Sequence, residues 1–203
     1  MPRKSYNKSV FINCPFDGRY QPLFRAMVFA VMRAGFYARS ALEEADSGEI
    51  RLSKIYRIIQ ECRFGIHDLS RTEPSAGWPR FNMPFELGLF LSAKFFGRDE
   101  QDRKVSLIFE RKAHSYERFI SDIKGQDIEP HNNDPKTMVR KIRDWLATNA
   151  HAQSIPGGAA IWQDYQRFSR WLPKQCKLAK LRLKDLTFID YWKLVHEWVQ
   201  LEL

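Results

Sequence analysis

Four short runs rich in β-branched and aromatic residues, at 9–13, 36–39, 64–69 and 104–109, alternate with stretches whose apolar residues recur at helical spacing. That alternation constrains the chain more than any other feature. Strand–helix–strand units in series close into a parallel sheet with helices on both faces. The fold class expected is α/β, a doubly wound, flavodoxin- or Rossmann-like parallel sheet with a C-terminal helical extension. Gln21-Pro22 opens the first helix, with Leu23, Phe24, Met27, Val28 and Val31 on its apolar side, and Gly35 ends it. Leu52, Ile55, Ile59 and Cys62, spaced three, four and three, mark a second helix with Arg51, Lys54, Arg57 and Glu61 largely outside. A turn-rich stretch with Pro74, Gly77 and Pro79 precedes a strongly apolar third helix, PFELGLFLSAKFF, beginning at Pro84. After the fourth strand the chain reads as polar and irregular, with one helical turn over YERFISDI, and 121–128 is a candidate lid or partner loop. Met138, Ile142, Trp145 and Leu146 then support another helix.

Near Asn149 the character changes, and AHAQSIPGG reads as a linker that cannot continue a helix. The domain boundary falls there: an α/β domain at 1–150 and a helical appendage at 151–203. Trp162, Tyr165, Phe168 and Trp171, then Leu186, Ile189, Trp192, Val195 and Val199, give the appendage an aromatic face for the main domain or a sister subunit. The longest wholly apolar run, from Ala26 to Met32, is too short to cross a bilayer, so no membrane association is expected. The start of the chain lacks the apolar stretch of a secretory signal. Three widely spaced cysteines without a C-x-x-C fit a reducing, cytoplasmic setting.

The charge balance, 33 basic against 24 acidic residues for a net of +9, raises nucleic acid as a partner. The excess is spread out, however: 25 basic and 19 acidic residues in 1–150, 8 and 5 in 151–203. Lys174, Lys177, Lys180, Arg182 and Lys184 sit together, but their spacing with Leu178, Leu181 and Leu183 describes a solvated helix face. No aromatic residue interleaves there to stack on bases. A phosphate-bearing small molecule suits this distribution at least as well as a nucleic acid.

Phosphate-loop, dinucleotide-fingerprint, nucleophile-elbow and zinc-helix motifs are absent, and the five histidines do not cluster at ligand spacing. No metal and no cofactor is implied. What stands out is Glu86, the one charge from Phe81 through Ala93. Within the first turns of a helix it feels the positive end of the helix dipole, while burial opposes its ionisation. An acid so placed caps free backbone N–H groups or faces a ligand pocket. The second candidate group is Asp68 with Ser70 at the end of the third strand, where ligands bind in open parallel sheets. His67 alternates to the other face and reads as structural. The third follows the first strand: Asn13, Cys14, Pro15, Phe16. Pro15 and Phe16 would offer a hydrophobic wall to a flat base or sugar. Cys14 has no histidine near it in sequence, and a buried free cysteine is the commoner case.

These three groups, VFINCPFD, GIHDLS and FNMPFELGLFLSAK, fall in order over about residues 9–110 and together resemble the nucleoside 2-deoxyribosyltransferase-like and TIR-like superfamily. The shared pattern is a small-Pro-Phe turn after the first strand, an Asp-Leu-Ser strand end, and an Asn-x-x-x-Glu-x-Gly helix start, here Asn82 to Gly88. The resemblance implies cleavage of an N-glycosidic bond in a nucleoside, nucleotide or NAD. It makes Glu86 the group that attacks or stabilises the anomeric carbon, Asp68 a contact to ribose or base, and Asn82 an orienting residue. NAD would then be a substrate rather than a cofactor, and a homo-oligomer and a role as a toxic antiphage effector are also implied. Met83-Pro84-Phe85 replaces the small turn typical of the transferases, a departure that bears on nucleoside exchange. A non-catalytic nucleotide sensor using the same rim is the alternative.

Overall fold

In β1 (Ser9–Asn13) Val10 and Ile12 point to one face and Phe11 to the other, and all are buried. A strand apolar on both sides belongs in the middle of a sheet covered twice. The computed structural model, which describes residues 5–44, 48–71, 80–150 and 154–202, places it there. Five parallel strands run in the order β2-β1-β3-β4-β5, with β2 (Tyr37–Arg39), β3 (Phe64–Asp68), β4 (Val105–Glu110) and β5 (Ile128–Pro130). The chain leaves β1 towards β2 and returns on its other side as β3, so the topological switch point lies between β1 and β3.

α1 (Gln21–Arg33) and α4 (Pro135–Asn149) cover one face; α2 (Arg51–Gln60) and α3 (Asn82–Phe96) cover the other. On α2 the inward row is Ile55, Ile58 and Ile59, and Lys54, expected outside, is buried with its ammonium on the Glu44 carbonyl at 2.7 Å. The Asp134 side chain caps α4 through the N–H groups of Lys136 and Thr137. The fifth strand, β5, lies in the stretch expected to be irregular. It is a three-residue edge strand ending in proline, which an edge tolerates. The candidate lid at 121–128 supplies a short 3₁₀ turn, Ser121–Ile123, and the first residue of β5.

α5 (Gly158–Leu178) and α6 (Phe188–Leu201) form a second layer over α1. This explains the unbroken apolar run from Ala26 to Met32: α1 is buried all round, between the sheet and the outer helices. The Phe29 ring is the centre of that layer, 5.1 Å from Phe168, 5.3 Å from Tyr165 and 5.4 Å from Trp198. The helices after 150 thus share one core with the sheet domain. A capping box between Thr187 and Asp190 starts α6. Among the described residues no helix is long and apolar enough to cross a membrane. The expected turns at Pro74, Gly77 and Pro79, and parts of the N-terminal stretch, the Glu43–Gly48 loop and the 150–158 linker, lie outside the described residues.

Candidate active site

The carboxyl ends of β1 and β3 present two clusters, one on each face of the sheet. Asp68 ends β3 on the α1 side and is fully buried. Its carboxylate accepts the Tyr20 hydroxyl, the Ser70 N–H at 2.8 Å and His131 Nε2 at 3.0 Å. Burial alone would raise its pKa, but these donors outweigh it and hold the carboxyl below its ordinary value. His131 follows β5, and its Nδ1 accepts the Asn133 N–H at 3.0 Å, which assigns the ring proton to Nε2. That N–H is shared between Asp68 and the Ser70 Oγ at 2.7 Å. Serine, histidine and aspartate are therefore present without the connectivity of a nucleophilic triad. A relay needs serine and acid on opposite ring nitrogens, and here both meet Nε2.

The ligand contact expected of Asp68 and Ser70 is corrected by this arrangement. Both carboxylate oxygens and the serine hydroxyl are used internally, so the pair organises the rim instead of facing a sugar.

Across the sheet, Asn13 is 2 % exposed and donates Nδ2 to the Met83 carbonyl at 2.8 Å and to His67 Nδ1 at 3.1 Å. It ties the end of β1 to the first turn of α3, a positioning role rather than the expected substrate contact. His67 lies fully buried between Phe11 and Phe90, its ring 5.0 Å from that of Phe90. Burial, with a further contribution from the Lys104 ammonium, pushes its pKa down to about 3, so it is neutral. Its Nε2 has no hydrogen-bond partner among the described residues. A side chain on Gly65 would come within 2.7 Å of that nitrogen and 2.8 Å of the Phe90 ring, so only glycine fits opposite them.

Glu86 stands on the inward face of α3 beside Met83, Leu87 and Phe90, 5 % exposed. Among the described residues its carboxyl has no hydrogen-bond partner, which argues against the backbone-capping alternative. Burial raises its pKa to about 7, against the opposing pull of the Arg51 guanidinium at the start of α2. A carboxyl poised near neutrality, nearly out of water and unpartnered, has the properties of a catalytic acid or nucleophile.

Asp68 and Glu86 thus approach the end of β1 from opposite faces, and the single pocket expected to hold both is divided by the strand. Cys14 sits where their influence meets. Burial and the negative fields of Asp68, Glu86 and Asp17 all push its pKa well up, so it stays a thiol. Such a group is no nucleophile. Pro15 and Phe16 line a cleft of about 130 Å³ between the β1 end and α6, with Phe24, Leu42, Phe188 and Tyr191. Asn82 is exposed at the first position of α3, without a side-chain hydrogen bond among the described residues.

Tyr20, His131 and Arg51 are the residues that sequence reasoning missed. Tyr20 is one aromatic in a turn, and Arg51 reads as an ordinary helix-face charge. His131 lies beyond an edge strand too short to detect. Among the described residues no cluster of three or more His, Cys, Asp or Glu could hold a metal ion. Comparison of the chain with protein-family models, with curated proteins and with solved structures finds no match.

Proposed function

We propose that this chain breaks the N-glycosidic bond of a nucleoside, a nucleotide or NAD, with Glu86 at the anomeric carbon. The observation that carries the reading is the state of that carboxyl: almost buried, unpartnered, titrating at about 7, at the switch-point end of a parallel sheet. As the carbon–nitrogen bond breaks, its electron pair leaves with the base and positive charge develops on the sugar. A carboxylate in a site of low dielectric offsets that charge or adds to the carbon, and water then completes hydrolysis. Arg51, whose charge reaches Glu86, is placed to meet a phosphate.

The test is incubation with NAD and a nucleoside panel, followed by chromatography. Wild type is expected to release free base, and Glu86→Gln to lose at least ~100-fold of the rate. The rate should rise with pH to a plateau above about 7, since the active form is the carboxylate. No base release from any substrate, or equal release by the variant, removes the proposal. In a cell such an activity would deplete a nucleotide pool, so expression of wild type and not of Glu86→Gln should arrest growth. One observation favours the sensor reading: at neutral pH a large share of Glu86 is protonated and can donate a hydrogen bond to a ligand. Thermal stabilisation by nucleotides without turnover would decide for it.

A further inference from the structure

The outer side of α3 carries an uncharged stripe that nothing in the described chain covers. Phe81, Phe85, Gly88, Ser92 and Phe95 follow at spacings of four, three, four and three, the repeat of a helix–helix seam. With Phe96 they span an arc of about 100° at 3.6 residues per turn. The opposite arc buries Glu86, Leu87 and Phe90. Exposure is 61 % at Phe81, 53 % at Phe85, 72 % at Phe95 and 86 % at Phe96. At about 150–250 Å² per ring, the four leave roughly 400–700 Å² of apolar side chain in water. A stable interface takes about 800 Å² from each partner, so these rings supply half or more of it.

Two further features say what covers the stripe. Gly88 at its centre weakens the helix relative to alanine, yet a Cβ at that position would meet nothing within 4 Å. The fold of one chain has no use for the missing side chain; a backbone lying close against the outside does. Phe81 and Phe95 also stand seven residues either side of Gly88. Reversing the helix about Gly88 therefore brings the stripe back onto itself, the property a two-fold interface requires.

We infer that α3 is a homodimer interface. Two copies cross antiparallel through this stripe with the axis at Gly88, and Phe81 of each copy packs against Phe95 of the other. The inference is independent of the glycosidase reading.

Sedimentation velocity at micromolar concentration tests it. Wild type should have twice the 24.0 kDa mass of the chain, and Gly88→Leu and Phe95→Glu should each halve that mass with the circular dichroism spectrum unchanged. Gly88→Cys, facing its own copy on the axis, should give a disulfide-linked dimer on mild oxidation. Cys14, Cys62 and Cys176 are buried and do not compete. A monomeric wild type overturns the inference, including one that captures a different protein through the stripe. A dimer that both substitutions leave intact, or that Gly88→Cys does not link, overturns it as well.

Discussion

The two faces of the sheet are built differently. On the α1 face a second layer of helices closes the core, and the buried carboxylate, Asp68, receives three donors. The unpartnered polar atoms there include the indole N–H groups of Trp145 and Trp192, both neutral. On the α3 face one layer of helices suffices, and unpartnered groups are ionisable or ionised: Glu86, His67 Nε2 and Arg39 Nη1. Arg39 is 2 % exposed and binds Glu43 and Glu61 through its other nitrogens. Lys104, also buried on this side, holds the carbonyls of Ile59 and Cys62, and burial lowers its pKa to about 8. Buried groups of this kind are costly unless partnered. One face is optimised for holding together, while the other keeps polar groups that a ligand can complete and apolar surface that a partner can cover.

The largest expected effect tests the contrast in packing. Phe29→Ala, in the doubly covered core, should cost ~3–5 kcal/mol of unfolding free energy by denaturant titration. Phe95→Ala, on the exposed stripe, should cost less than ~0.5 kcal/mol in dilute protein. Similar losses at both positions would erase the difference between the faces.

Next comes Asp68→Asn, which sets an amide N–H₂ against the donors that now converge on the carboxylate. A loss of ~3 kcal/mol is expected, measured by the same titration. Because the folded-state pKa of Asp68 lies below its ordinary value of 3.8, its contribution is present above that pH and lost as pH falls through the folded value. The advantage of wild type over Asp68→Asn should therefore shrink in acid.

Glu86 has the opposite sign and the smallest effect at low pH. Its folded pKa of about 7 lies above the ordinary 4.5, so the folded state holds a proton that the unfolded chain releases between those values. Stability relative to Glu86→Gln should fall as pH rises from about 4.5 to about 7 and then level off, by up to ~3 kcal/mol. Melting temperatures at several pH values check it. A flat difference would mean that Glu86 is well solvated or partnered, and the two faces would then treat their acids alike.

Much of the scaffold is legible in local pattern. The strands at 9–13 and 64–69, the helix opening at Gln21-Pro22 and the aromatic periodicity after 158 reflect side-chain spacing, which is written in the chain itself. β5 is not legible, because three half-buried residues with a proline carry no alternation. Lys54 was misplaced because spacing alone does not reveal a carbonyl at the end of its stem. In the candidate site, Glu86 is visible as the lone charge in an apolar helix. The partners of Asp68 are not, since Tyr20, Ser70 and His131 come together only when β5 and α1 dock on β3.

The amino-acid sequence by itself determined the parallel α/β class, the inward acid on α3 and the uncharged character of that helix, all of which follow from periodicity and composition. Tertiary structure alone decided which groups share a pocket. Asp68 and Glu86 both stand at strand-end positions, but successive side chains of a strand point to opposite faces and the two helices that meet them lie on opposite sides. One acid is consequently enclosed by donors and the other left without any. That separation depends on three-dimensional packing, which no spacing along the chain encodes.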